Sequence, residues 1–88
     1  MHLIKDHVIR KIKNDMVLVP LSNKETDFNG MILLNHTAEF ICRKLKTEIR
    51  EEELIKELAN TYQKQPEEVT KDVRRFLEEL DQYHMLIK

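Results

Sequence analysis

Residues 28–37 read FNGMILLNHT, and within them the pattern of a β-strand changes to the pattern of a helix. The run MILL at residues 31–34 is the most apolar of the chain, as expected for a strand that contributes to a core. Asn35 follows it directly, and asparagine is one of the residues that cap the first turn of a helix. We therefore predict a strand over residues 28–34 and a helix that begins near residue 36.

Both faces of this strand are apolar. Successive side chains point to opposite faces of a strand. One face carries Phe28, Gly30, Ile32 and Leu34, and the other carries Asn29, Met31 and Leu33. A small sheet with one solvated face does not normally place Met31 and Leu33 in water, so we expect another part of the chain or a partner to cover them.

Two further strands are predicted upstream, over residues 7–13 (HVIRKIK) and 16–21 (MVLVPL). Between them lie Asn14 and Asp15, which tolerate the positive φ of a two-residue hairpin turn. Pro20 has no N–H to donate, so the second strand is expected to end there or to leave its proline unpaired. The polar residues 22–27 form the predicted loop to the third strand.

Three helices are predicted downstream, over residues 36–46, 51–63 and 66–83. Each carries apolar residues at spacings of three and four, the stripe of a helix that faces a core. The third begins most clearly, because Pro66 suits the first helical position. The second begins least clearly, because Arg50 is a poor N-cap and Thr47 would cap an earlier start. The apolar residues 85–87 are expected to pack back on the body as an extended tail.

The predicted fold class is α+β, an N-terminal three-stranded antiparallel sheet followed by three helices, as in a winged helix-turn-helix. A chain of 88 residues with 41% hydrophobic and 35% charged side chains is expected to form one domain over residues 1–88. It shows no signal-peptide pattern and no apolar run of about 18 residues. We therefore expect no membrane anchor and a cytoplasmic location.

No residue pattern indicates catalysis, a cofactor or a metal site. The four histidines lie at spacings unlike those of metal ligands, at His2, His7, His36 and His84. Cys42 is the single cysteine, which excludes an intrachain disulfide, and its helical position predicts a core residue. The paired glutamates of the helices point in different directions, as on a solvated surface. We expect a protein that is not an enzyme.

The order of sheet and helices raises DNA binding as one hypothesis, with the third helix in the major groove. Charge argues against this role. Residues 66–83 contain six acidic and three basic side chains, whereas contacts to phosphate need lysine and arginine. A nucleic-acid partner is therefore the alternative function and not the preferred one.

Three segments resemble the PqqD family, whose members recognise the precursors of ribosomally synthesised, modified peptides. The resemblance extends from about Val8 to the end of the chain, and it is modestly specific because most of the shared residues are apolar. The matching positions are Leu34, Asn35, Thr37 and Ala38 at the first helix, residues 58–62 of the second, and Asp72, Val73, Phe76, Leu77 and Leu80 of the third.

The resemblance implies a non-catalytic chaperone that binds the leader segment of a precursor peptide. In similar proteins the leader adds as an antiparallel strand to the third strand, in a groove walled by the third helix, and is presented to a modifying enzyme, often a radical SAM protein. A protease of a lasso-type pathway is the alternative partner enzyme. Carried onto this chain, the peptide-binding residues are Phe28, Asn29, Gly30, Met31, Ile32 and Leu33 of the strand, with Val69, Asp72, Val73, Arg75 and Phe76 of the helix. For the apolar members, simple core packing is an equal alternative.

An unpaired strand edge offers a row of N–H and C=O groups, which is the physical reason that a peptide can bind there. Gly30→Pro is expected to weaken binding if the Gly30 N–H faces outward. The same edge invites a homodimer when no peptide is present. The chain departs from the family pattern at His84, where glycine is usual after the last helix, and at Arg50, where serine or threonine is the common cap.

Overall fold

The computed structural model describes residues 1–21 and 30–88. Its elements follow the order β1 (His2–Leu3), β2 (His7–Ile12), β3 (Asp15–Pro20), β4 (Ile32–Leu34), α1 (His36–Lys44), α2 (Glu51–Thr61), α3 (Pro66–Gln82) and β5 (Leu86–Ile87). Strands β2, β3 and β4 form a three-stranded antiparallel sheet in that order. The predicted α+β class, with this sheet followed by three helices, is confirmed.

The hairpin turn lies one residue earlier than predicted. Ile12 pairs with Asp15, so the turn residues are Lys13 and Asn14, and Lys13 adopts a φ of 57°. In this register Ile9 lies opposite Leu18 on the core side of the sheet. A turn at residues 14–15 would instead put a lysine opposite Leu18, so burial of the apolar pair selects the observed turn.

Strand β4 is shorter than the predicted strand over residues 28–34. Its pairing with β3 joins Leu18 to Ile32, and the next hydrogen-bonded pair in the same register would be Pro20 with Gly30. Because proline has no N–H to donate, that pair cannot close in the usual way. The strand therefore begins at Ile32, while residues 28 and 29 lie outside the described part of the chain.

A second, two-stranded sheet was not predicted. Its strands β1 and β5 pair antiparallel, with Leu3 opposite Leu86. The N–H of Leu3 also donates to the carbonyl of Leu45 over 2.8 Å, and the N–H of Ile4 donates to that of Met85 over 2.9 Å. The N-terminal segment therefore lies between the α1–α2 connection and the C-terminal tail, which does pack back on the body as expected.

Capping interactions mark the start of α1 and the end of α3. The Asn35 side chain accepts a hydrogen bond from the Ala38 N–H over 2.8 Å, which confirms the predicted N-cap. At the end of α3, the His84 N–H donates to the Asp81 carbonyl and the Met85 N–H to the Leu80 carbonyl, over 3.0 and 2.9 Å. His84 is left-handed, with a φ of 57°, as expected for a position where glycine is usual.

The core lies between the inner face of the three-stranded sheet, the three helices and the two-stranded sheet. Its fully buried side chains come from all of these elements and their connections. The largest are Leu3, Ile4, Leu18, Ile41, Leu45, Leu54, Leu58, Leu80 and Met85. Strand β4 leads through Asn35 into α1, so the β4 edge of the sheet lies beside the first turn of α1.

Helix α2 begins at Glu51, so the earlier start at Thr47 is wrong. Arg50 is the N-cap residue and makes no side-chain capping bond. We expect Arg50→Asp to raise the free energy of unfolding by about 1 kcal/mol, because aspartate accepts a hydrogen bond from the first turn. Urea denaturation measures this. Arg50→Ala is the control, since it also removes the exposed Arg50–Glu53 ion pair without adding a cap. Equal midpoints for the two variants would contradict the prediction.

Cys42 is a core residue, as predicted, and burial raises the pKa of its thiol from 9.0 to about 12. A folded-state pKa above the unfolded value means that stability is lost as the pH rises through the window between them. We expect the free energy of unfolding to fall by about 1 kcal/mol more in the wild type than in Cys42→Ala between pH 9 and 10. Denaturation curves at the two pH values measure this difference, and identical pH dependence would contradict it.

Candidate functional site

The hairpin determines which backbone groups of the sheet face outward. Ile12 and Asp15 flank a two-residue turn, so they exchange both of their backbone hydrogen bonds. These bonded pairs recur at every second residue of an antiparallel ladder. Val17 and Val19 therefore also face β2, and Met16 and Leu18 direct their N–H and C=O groups toward β4.

Strand β4 consequently has one bonded side and one open side. Ile32 pairs with Leu18 and Leu34 pairs with Met16, so both use their N–H and C=O groups toward β3. The N–H and C=O of Leu33 point the opposite way. Among residues 1–21 and 30–88, no strand pairs with that side of β4. Leu33 therefore presents a donor and an acceptor at an open sheet edge.

The side chains of β4 divide between the two faces as predicted. Ile32 and Leu34 are buried in the core, whereas Leu33 is 66% exposed and Met31 is 57% exposed. Val17 is opposite Leu33 and is only 3% exposed, although it lies outside the main core. The outer face of the sheet thus carries an apolar surface that Met31 and Leu33 leave open to solvent.

A cleft of about 250 Å³ separates the first half of α1 from the middle of α3. It begins at Asn35, the residue that follows β4. Its lining residues are Asn35, Thr37, Ala38, Ile41, Asp72, Arg75, Phe76 and Glu79. Half-buried Phe76 supplies its open apolar surface, since Ala38 and Ile41 expose almost none, and exposed charged side chains of α3 supply its rim.

The charged rim consists of Asp72, Arg75 and Glu79. The salt bridges observed between described residues of α3 and its surroundings lie elsewhere, as in the 3.3 Å contact of Arg74 with Glu51. Within residues 1–21 and 30–88 the rim charges make no salt bridge, so they can meet charges brought by a ligand. Because all three are exposed, each such contact would contribute little energy and would mainly orient what binds.

A smaller cavity of about 60 Å³ adjoins the cleft near the start of α3. It shares Thr37 and Asp72 with the cleft, and Leu58, Tyr62, Lys64 and Val69 complete its lining. Together the two cavities follow α3 from Glu79 back to Val69. The open edge of β4 and this track along α3 meet at the first turn of α1.

The structure divides the predicted site residues into three groups. Gly30, Met31 and Leu33 are exposed at or next to the β4 edge, and Asp72, Arg75 and Phe76 line the cleft. Phe28 and Asn29 lie outside the described residues. The third group is buried in the core and comprises Ile32, Val69 and Val73. Val73 has no exposed surface, so its side chain packs the core instead of walling a groove.

Sequence reasoning missed the contribution of α1 to the cleft and also missed Glu79. Glu79 could have been found, because it lies seven residues after Asp72 and therefore on the same face of α3. Ala38 and Ile41 gave no comparable signal, since core and cleft residues of a helix share one apolar stripe. In the described part of the chain, no group of His, Cys, Asp or Glu could hold a metal ion, and no helix is long and apolar enough to cross a membrane.

Comparison with known proteins agrees with this architecture. A solved chain named "TbiB1 in Complex with the TbiA(beta) Leader Peptide" superposes with a TM-score of 0.74 at 23% identity, and the match covers 98% of this chain and 94% of that chain. At this identity the likeness shows a shared fold. No curated protein sequence matches the chain significantly. The family model "Coenzyme PQQ synthesis protein D (PqqD)" matches residues 15–86, and the chain therefore belongs to the PqqD family.

Proposed function

We propose that this protein is a non-catalytic chaperone that binds the leader segment of a ribosomally synthesised precursor peptide. The leader adds to β4 as an antiparallel strand, in a groove walled by α3. The observation that carries the proposal is the open N–H and C=O of Leu33 on the strand that leads into a cleft lined by Phe76 and by charged side chains of α3. Membership of the PqqD family and a fold shared with a protein described in complex with a leader peptide support it.

The two parts of the site would contribute differently to binding. Hydrogen bonds to the Leu33 backbone hold any extended peptide, whatever its sequence. A side chain of the peptide that enters the cleft would contact half-buried Phe76, and burial against this ring favours an apolar residue. Charged residues beside it would meet Asp72 and Arg75 at the rim. Affinity would thus come from the strand and the cleft together, and specificity mainly from the cleft.

We further propose that the bound peptide is presented to an enzyme that modifies it, such as a radical SAM protein or a lasso-type protease. Family membership supports this partnership. In this arrangement the chaperone positions the peptide and carries out no chemical step. A peptide held in one extended conformation loses less conformational entropy when it enters the active site of the enzyme.

The experiment is an NMR titration of ¹⁵N-labelled protein with synthetic leader peptides of precursors from the PqqD class. We expect amide shifts in residues 31–34 and along the cleft face of α3, at Asp72, Arg75, Phe76 and Glu79. A scrambled leader of the same composition is the control. Shifts confined to β2 would contradict strand addition at β4, and no shifts with any leader would contradict the proposed function.

DNA binding gives a separate expectation. Helix α3 carries six acidic and three basic side chains, so it would be repelled by phosphate. We expect no change in the fluorescence anisotropy of a labelled generic duplex at low salt when the protein is added. Tight binding that weakens steeply with salt would favour the winged-helix alternative instead.

A further inference from the structure

The register of the sheet assigns a face to each residue of an added strand. In an antiparallel sheet, two residues that exchange hydrogen bonds place their side chains on the same face. The peptide residue that bonds to Leu33, here called the paired residue, therefore points to the outer face beside the Leu33 side chain. Its two neighbours along the peptide point to the inner face, toward the cleft.

The outer face beside Leu33 is apolar. Leu33 and Met31 expose most of their side chains there, and the buried Val17 lies between Leu33 and Arg10 on adjacent strands. An added strand would place its paired residue against Leu33 at a cross-strand distance of about 5 Å. An apolar paired residue would therefore cover surface that is otherwise in water.

The inner face is mixed in character. The neighbours of the paired residue would face the cleft, where half-buried Phe76 lies among exposed Asp72, Arg75 and Glu79. Ala38 and Ile41 also line the cleft but are buried. The inner face therefore accepts apolar or charged neighbours, and the strongest apolar requirement falls on the paired residue at the outer face.

We propose that the site selects an apolar residue at the paired position, the middle of three consecutive peptide residues, and that the Leu33 side chain selects it from the outer face. The inference rests on the proposed strand addition and extends it to the class of peptide. Cross-strand apolar pairs of this kind correspond to a preference of up to about fivefold over alanine. Leu33 is thus a specificity-determining residue through its side chain as well as a backbone contact.

The test is a display selection of random peptides of about twelve residues on three proteins: wild type, Leu33→Lys and Ile12→Lys. The probe is the library itself, so no natural leader is needed. Ile12→Lys is the matched control, because Ile12 is also exposed and on the outer face but lies on β2, two strands from the open edge. Leu33→Thr, which keeps strand propensity, is the second variant if Leu33→Lys does not fold by circular dichroism.

We expect wild type and Ile12→Lys to enrich a large apolar residue at the same middle position. On Leu33→Lys the middle position should change to aspartate or glutamate while its neighbours keep their wild-type preferences, and on Leu33→Thr the middle position should lose its preference for large side chains. An unchanged middle position on a folded Leu33 variant would overturn this inference and leave strand addition standing. Failure of all proteins to enrich any peptide would count against the proposed function itself.

Discussion

Leu33→Pro is expected to reduce peptide affinity about tenfold or more relative to Leu33→Ala. Proline removes the outward N–H, which contributes roughly 1 kcal/mol as a hydrogen bond, and its ring occupies the space of the added strand. The comparison with Leu33→Ala separates this backbone effect from loss of the leucine side chain. Fluorescence polarisation with a labelled leader peptide measures both variants. Proline is tolerated at an open edge, so the variant should fold.

The control is Lys11→Pro on the opposite edge of the sheet. Lys11 is exposed, and the hydrogen-bond alternation directs its N–H away from β3, as it does for Leu33 on β4. Lys11→Pro should therefore bind the leader like the wild type. Equal loss in Lys11→Pro and Leu33→Pro would mean that proline acts through stability of the sheet, and wild-type affinity in folded Leu33→Pro would contradict docking on β4.

Phe76→Ala is expected to weaken leader binding about thirtyfold, or about 2 kcal/mol, as for an aromatic anchor at the centre of an interface. Phe76 packs half-buried against the core and lines the cleft, so its open surface is available to a peptide side chain. Isothermal titration calorimetry measures the loss. A Phe76→Leu variant should retain most of the affinity, because it keeps an apolar wall.

The matched control for Phe76→Ala is Phe40→Ala. Phe40 is also a half-buried phenylalanine that packs against the core, but its ring lies edge-on to Tyr62 at 6.0 Å and does not line the cleft. Both truncations should lower the free energy of unfolding, whereas only Phe76→Ala should lower affinity. Similar affinity losses in the two variants would show that binding follows overall stability and not the cleft.

Much of the fold could be predicted because local signals agree with tertiary packing. Asn35 caps α1 and Pro66 begins α3, as these residue types do in isolation. The hairpin turn lies one residue before its predicted position, because burial of Ile9 beside Leu18 outweighs the preference of Asp15 for a turn. Strand β1 could not be predicted, since its pairing with β5 joins the two ends of the chain and leaves no local pattern.

The candidate site was harder to predict than the fold. The N–H of Gly30 was proposed to face outward. Hydrogen bonding alternates along a strand, so Gly30 would direct its N–H to the same side as Ile32, which is toward β3. Only the register, which is set by the turn between β2 and β3, shows that the N–H and C=O of Leu33 face outward. Val73 and Phe76 share one apolar stripe of α3, and periodicity alone cannot tell the buried residue from the one that lines a cleft.

The most direct measurement of strand addition at β4 is hydrogen exchange of the Leu33 amide, with and without leader peptide, by NMR. Strand addition predicts that peptide slows this exchange about tenfold or more, because the N–H becomes bonded to the added strand. The outward amide of Lys11 should exchange at an unchanged rate. Saturating peptide that leaves Leu33 exchange unchanged, or that slows Lys11 instead, would contradict binding at the β4 edge.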